Sequence, residues 1–320
     1  MDDESEGSVR VAVDAGFDTD SAYADEYASY TTSLASSALD YRYELGRRYH
    51  AYRQGRHFLP NDELEQDRMD LTHALMMLLL DNHLYFAPIT EPHRVIDLGT
   101  GTGIWAIDFA DAHPESQVIG NDLSPIQPHH VPPNVEFVVD DIEDEWAYEH
   151  NPFDFIHARY LAGSIRDWPR LMKQAYACTK PGGWVEFQDW DCMVESPDDS
   201  ITEDSSFWIW HKATLGRIEA TNTGRPGPRL EGWIRDAGFV NVVERKFIIP
   251  LHIWPKDPRY KRIGAMNFLQ WEKGLEGISI GCLSRSTSDE PAWSIEEIQV
   301  LMAKAKADAQ NRKYHGQYNL

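Results

Sequence analysis

Asp97 stands two residues ahead of a Gly99-Thr100-Gly101-Thr102-Gly103 run, and Asp122 follows 25 residues after Asp97. The glycines let the backbone turn sharply and let a ligand approach with no Cβ in the way. A helix that opens directly behind such a turn points unpaired N–H groups at the ligand. The spacing narrows what that ligand is. A dinucleotide fingerprint reads G-x-G-x-x-G, with a pyrophosphate on the helix N-terminus. Here the run is G-x-G-x-G with an acid in front of it. That acid is awkward beside a pyrophosphate and suits a ligand whose near end is cationic. Asp122 ends the next apolar run, where a carboxylate can accept hydrogen bonds from both ribose hydroxyls.

A cationic ammonium at one end and a ribonucleoside at the other describe S-adenosylmethionine (SAM). The competing reading is a nicotinamide-dependent oxidoreductase, and the glycine spacing and Asp97 both argue against it. Methyl transfer from SAM is an in-line displacement at a carbon already activated by the sulfonium. The protein mainly has to position the acceptor and keep the site dry. A base is needed only if the acceptor enters protonated. His157 is the candidate for it, since an unperturbed imidazole titrates near neutrality. A structural histidine beside the adenine or methionine moiety is the alternative. Arg159, two residues on, is placed to hold a carboxylate of cofactor or acceptor. The cysteines Cys178, Cys192 and Cys282 show no metal-ligand spacing, and no metal site is expected.

These residues need a scaffold that brings strand ends together. Arg94 to Leu98 is a short apolar run ending in the glycine turn, and Ile104, Ile107, Phe109 and Ala110 follow at helical spacing. Further strands are expected at 117–120, 135–139, 153–158 and, after the Pro181-Gly182-Gly183 turn, 184–188. A helix is expected over 169–177. The alternation predicts an α/β fold with a doubly wound, mostly parallel sheet, and ligands outside the carboxyl ends of its strands. Asp97, Asp122, Asp141 and His157 all fall at such ends. Past residue 190 the pattern predicts helices at 207–220, 230–237 and 257–283, a strand at 240–249 and a helix capped by Ser294 with Glu297. Phe207 to Trp210 and Met266 to Trp271 are either walls of an acceptor pocket or core.

The chain has 320 residues and a formal charge of -22. So acidic a surface repels phosphate backbones and speaks against direct nucleic-acid binding. Residues 1–40 hold ten acids and one base, Arg10, and read as a disordered acidic tail. Residues 41–60 are a basic, aromatic island. Tyr49, Tyr52, Arg53 and Arg56 face a cofactor or substrate if the island is a lid, and solvent if it is a docking helix. A helix starting at Asn61 or Asp62 should run to about His83 with Leu64, Met69, Leu71, Leu75, Leu78 and Leu79 inward. No signal peptide is visible, and the longest aliphatic run, 74–80, is too short to span a bilayer. An intracellular setting, cytoplasmic or nuclear, is expected.

The motifs RVIDLGTGTGIWAIDFA, NDLSPIQP, FVVDDIEDEW, FDFIHARYL and KPGGWVEFQD, with YRYELGRRYHAYRQGRHFLPNDELEQDRMDL upstream, together resemble the LaeA-like fungal methyltransferases. The resemblance spans roughly residues 41–313. It implies a Rossmann-like class I SAM-dependent methyltransferase tied to secondary metabolism or its regulation. It divides 41–320 into an N-terminal helical lid (41–90), a SAM-binding core (91–190) and substrate-side helices with the last strands (191–320). By the same resemblance Asp97, Gly99 and Gly101, with Thr100 between them, hold the methionine end. Asp122 with Leu123 takes the ribose, and Asp141 with the backbone of Ile142 the adenine. The partner is either a small-molecule acceptor or a regulatory protein. Class I methyltransferases end in a long apolar seventh strand inserted antiparallel, and this sequence stops at YHGQYNL, where that strand is expected to begin.

Overall fold

The structure is a computed structural model that describes residues 41–50, 57–288 and 290–320. Tyr52, Arg53, Arg56 and the acidic stretch 1–40 lie outside the described residues. The chain opens with a small antiparallel hairpin, β1 (Arg42–Glu44) and β2 (Arg47–Tyr49), followed by helix α1 (Glu63–Leu79). Asp62 caps α1 by accepting from the Glu65 N–H, and Glu63 and Glu65 sit in the first turn, where the helix dipole favours acids. Asp62 also takes a two-pronged ion pair from Arg47 at 2.6 and 2.9 Å, which fastens the hairpin to the helix start.

The core sheet follows. Strands β3 (Arg94–Leu98), β4 (Gln117–Asp122), β5 (Val135–Val139), β6 (Phe153–Arg159) and β7 (Thr179–Gln188) form one parallel sheet in the order β5-β4-β3-β6-β7. Helix α2 (Ile104–Ala112) covers one face through Trp105 and Phe109, and α3 (Trp168–Ala177) covers the other through Trp168, Leu171 and Met172. The order reverses at β3 and β6, so the crevice lies at their carboxyl ends. The doubly wound parallel sheet expected from the sequence is the one observed.

The remaining elements are β8 (Asp191–Glu195), α4 (Ser206–Glu219), α5 (Leu230–Ala237), β9 (Ile248–Leu251), α6 (Pro258–Leu283), α7 (Ile295–Ala309) and β10 (Gly316–Asn319). Phe207, Trp210 and Trp271 are nearly fully buried and pack with Leu75 and Leu79 of α1 into a second core. None of them lines the crevice, so the aromatic segments are core and not pocket walls. The Ser294–Glu297 capping box forms as expected.

Two expectations change. The strand expected over 240–249 is paired only from Ile248, because β10 reaches that segment only at its end. The YHGQYNL segment does supply a strand, β10, but it lies between β8 and β9 in a separate antiparallel sheet. Among the described residues no strand pairs with the outer edge of β7. An open groove of about 1340 Å3 runs there instead, lined by Trp184, Phe187, Phe239, Phe247 and Leu320.

The inward face of α1 also differs from the expected one. Leu64 is exposed, while Glu65, Arg68, Thr72 and His73 are buried with Leu75, Met76 and Leu79. Glu65 receives Arg68 at 2.6–3.0 Å, and Arg68 donates on to Gln270 of α6 at 3.1 Å. Burial works against the Arg68 charge, and Glu65 and Tyr160 beside it together more than offset that, holding the guanidinium above its ordinary value. Removing one member of such a pair strands the other. Glu65→Ala should therefore lower unfolding stability by about 3–5 kcal/mol. Chemical denaturation of the variant and the wild type checks this, and a loss below about 1 kcal/mol would mean that water reaches Arg68.

Candidate functional site

The crevice is built first from the turn behind β3. Gly99, Gly101 and Gly103 have φ of +63°, +60° and +80°. A Cβ on Gly103 would stand 2.3 Å from the Phe137 ring, so this position tolerates only glycine. Register sets the neighbours: Asp97 pairs with Gly120 of β4 and His157 of β6, and Asp122 lies two residues further along β4. The turn is tied to β4 by its own amides. Gly101 N–H donates to Asp122 Oδ2 at 2.9 Å, and Thr100 N–H donates to the Asn121 carbonyl at 2.8 Å.

Three charged groups converge here. Asp97 is 3% exposed. It accepts from His157 Nδ1 at 2.7 Å and from Thr100 Oγ1 at 2.6 Å. Asp122 is half-buried, and burial pushes its carboxyl up to about 6, against the pull of the Gly101 and Ser124 amides. Arg159 is pushed down to about 10 by burial, with Asp97 and Asp108 opposing. Its Nη2 meets His73 Nδ1 at 2.9 Å, and its Nη1 is buried with no hydrogen-bond partner. His73 in turn meets Asp108 at 3.0 Å, and burial followed by Arg159 lowers its value.

A cavity of about 190 Å3 sits over these groups. Asp97, Gly99, Thr100, Gly101, Asp122, Leu123, Asp141, Ile142 and Arg159 all line it, so nearly every residue singled out for a cofactor comes together. Two residues do not. Tyr49 is buried beside the cavity without lining it, and its neighbour His50 lines it instead. His157 is fully buried, stacked face to face on Trp105 at 3.6 Å, and does not line the cavity. The proposed base is therefore out of an acceptor's reach.

Five further residues line the cavity with no signal in the sequence: His50, His57, Arg68, Tyr160 and Ser164. His57 Nε2 lies 3.1 Å from Ser164 Oγ, and His50 meets the His57 ring edge-on at 5.4 Å. Burial lowers both histidines, His50 to about 3, so both are neutral at physiological pH. Tyr160 holds φ at +62°, rare for a bulky residue, with its ring under the Arg68 guanidinium. That positive φ leaves no trace in sequence. The histidines in the island were visible, but nothing in their spacing set them apart.

Glycine turn, acid before it, acid at the next strand end and a parallel sheet reversing at that point define a SAM-dependent methyltransferase of the class I fold. Comparison with known proteins carries this to a family. Residues 68–244 match the family described as "Methyltransferase domain". The chain is 40% identical over 311 residues, 96% of its length and 92% of the relative's, to "Methyltransferase pytC" of Aspergillus terreus. It is 35% identical to "Secondary metabolism regulator LAE1" of Cochliobolus heterostrophus, over 87% of this chain and 92% of that one. It is 34% identical to "Protein-methionine methyltransferase laeA" of Emericella nidulans, over 87% and 74%. Among solved structures it is similar to a Haemonchus contortus phosphoethanolamine N-methyltransferase 2 in complex with S-adenosylhomocysteine, at 19% identity and a TM-score of 0.44, over 77% and 51% of the two chains. The chain belongs to the LaeA-like family of SAM-dependent methyltransferases.

The pH response of the site follows from Asp122. A folded-state value raised to about 6 favours the protonated fold. Its stability contribution is full below the unfolded value and is lost as pH rises through 6. Ribose hydroxyls need the opposite, ionised form as acceptor. S-adenosylhomocysteine affinity should fall as pH drops from neutral through about 6, and Asp122→Asn should be weaker and flat with pH. Titration calorimetry at stepped pH measures both, and a wild-type profile as flat as the variant's removes Asp122 from the cofactor contact.

Proposed function

We propose that the chain transfers the SAM methyl group to a small neutral acceptor held under the N-terminal segment. The observation that carries this is the rest of the cavity lining, beside Asp97, Asp122 and Arg159. Leu59, Met69, Leu161 and Ile165 give it an apolar surface, and His50, His57 and Ser164 supply a few uncharged polar groups. A small-molecule site has this make-up: mostly apolar, with a few placed polar atoms. In this reading Asp97 receives the SAM ammonium and Arg159, through its unpartnered Nη1, the carboxylate. The ribose goes to Asp122 with Leu123 beside it, and the adenine to Asp141 and Ile142. Leu161 and Met69 stand against Gly99 and Gly101, so in this reading they move aside to let the methionine chain lie on the turn.

SAM brings the activated methyl, and the protein's own groups do the rest. They fix the acceptor in line, exclude water and accept or donate hydrogen bonds through neutral imidazoles. The cavity of about 190 Å3 is smaller than the roughly 300–1,000 Å3 of ligand sites. Residues 57–61, which roof it, therefore have to swing out to admit cofactor and acceptor. In this reading residues 57–60 act as a lid.

One observation favours the second reading, a regulator that binds SAM and acts through a protein partner. The groove along β7 is flanked by Val240 and Val243, 77% and 74% exposed, and apolar surface of this kind marks partner sites. Relatives are named as regulators of secondary metabolism as well as methyltransferases.

Two measurements separate the readings. Incubation with methyl-labelled SAM and extract of the source cell should put label in the small-molecule fraction; label in polypeptide alone would give the second reading first place. Hydrogen exchange of residues 41–50 and 57–60 should slow when S-adenosylhomocysteine binds. Equal rates with and without it would make the segment a fixed docking element.

A further inference from the structure

His157 is the most completely buried imidazole at the site, and the proposed transfer makes no use of it. Its Nδ1 lies 2.7 Å from Asp97 Oδ1. A carboxylate only accepts, so Nδ1 carries the proton. Nε2 is buried and has no partner among the described residues. A proton there would be a buried, unsatisfied donor, so the hydrogen bonding of the ring runs through Nδ1. Trp105 lies flat on it, with ring centroids 3.6 Å apart and planes 2° from parallel. This stacking opposes tilting of the ring out of that plane. Thr100 Oγ1 holds the other oxygen of Asp97 at 2.6 Å. Both oxygens are thus pinned from inside the fold, each keeping lone-pair capacity for a donor on the cavity side.

We propose that His157 is a positioning residue. Clamped by Trp105, it fixes the plane of the Asp97 carboxylate so that the free lone pairs meet the ammonium of SAM. It deepens the reading that Asp97 takes the ammonium and rests on it. Leaving the buried carboxylate with one donor fewer would let it rotate towards another partner, such as Arg159, whose charge Asp97 supports.

The test uses two ligands that share a nucleoside. S-adenosylhomocysteine carries the ammonium, and 5′-methylthioadenosine has no amino-acid moiety. His157→Leu should weaken S-adenosylhomocysteine by about ten- to hundredfold, the worth of a hydrogen bond to a charged group, and leave methylthioadenosine unchanged. His157→Asn, which can offer an amide N–H near the Nδ1 position, should recover most of the loss. Thr100→Val, with the hydroxyl removed at nearly constant shape, should show the same selective loss and serves if the leucine variant does not fold. Equal weakening of both ligands would mean that His157 only packs, and overturns the proposal. So would an unchanged S-adenosylhomocysteine affinity. Asp97→Asn tells the two failures apart. If it loses the preference for S-adenosylhomocysteine while His157→Leu keeps it, the positioning role alone is wrong. If Asp97→Asn keeps the preference, the ammonium reading itself falls.

Discussion

Three left-handed backbone conformations within five residues constrain everything around the crevice. A chain that turns at Gly99, Gly101 and Gly103 presents amide edges where side chains would otherwise stand. Such a turn has few internal hydrogen bonds, so its neighbours must supply them. β4 does so twice over, through the Asn121 backbone and the Asp122 carboxylate. Phe137 on β5 packs so close to Gly103 that the turn cannot relax outward. The helix behind it starts at Ile104 with Gly103 as an N-cap that offers no side chain, which leaves its first amides free for a ligand. The local fold therefore decides where charge can sit before any ligand arrives.

The second constraint is charge balance in a dry place. Asp97, Asp122 and Arg159 are pressed into one crevice, and burial disfavours the charged forms of Asp122 and Arg159. Their remedies differ. Asp97 is satisfied by two fixed donors, Asp122 by backbone amides, and Arg159 only in part, by His73. The unsatisfied remainder is what a zwitterionic ligand could complete. Elsewhere in the lining Glu65 and Arg68 neutralise each other, and His50 and His57 stay uncharged. The net charges of the cavity are thus those of Asp97, Asp122 and Arg159, beside an internally neutralised Glu65–Arg68 pair and uncharged imidazoles.

The parts of the structure that were legible in the sequence are those governed by local rules. Glycine spacing, apolar runs ending in acids and the Ser294 capping box each act over a few residues, and each of these elements formed where expected. The phase of α1 was misread because its inward face carries Glu65 and Arg68, whose burial depends on each other and on Gln270, 202 residues further on. Of the two readings of His157, base or structural histidine, depth disfavours the base: strand position gave its place in the sheet but not the indole stacked over it. The lining from the N-terminal segment was not legible for a similar reason. His50, His57 and Ser164 are brought together only by the return of the N-terminal segment over the strand ends, a separation of 107 residues for the last pair.

Among the described residues the outer edge of β7 is open, and this has a colloidal consequence. Unpaired strand edges flanked by exposed valines are templates for edge-to-edge stacking between molecules. Here the opposing force is long-range: a formal charge of -22 makes any two copies repel before their edges can meet. That repulsion reaches about 30 Å at 0.01 M salt but only about 3 Å at 1 M. Added salt therefore withdraws the protection while leaving the strand edge unchanged.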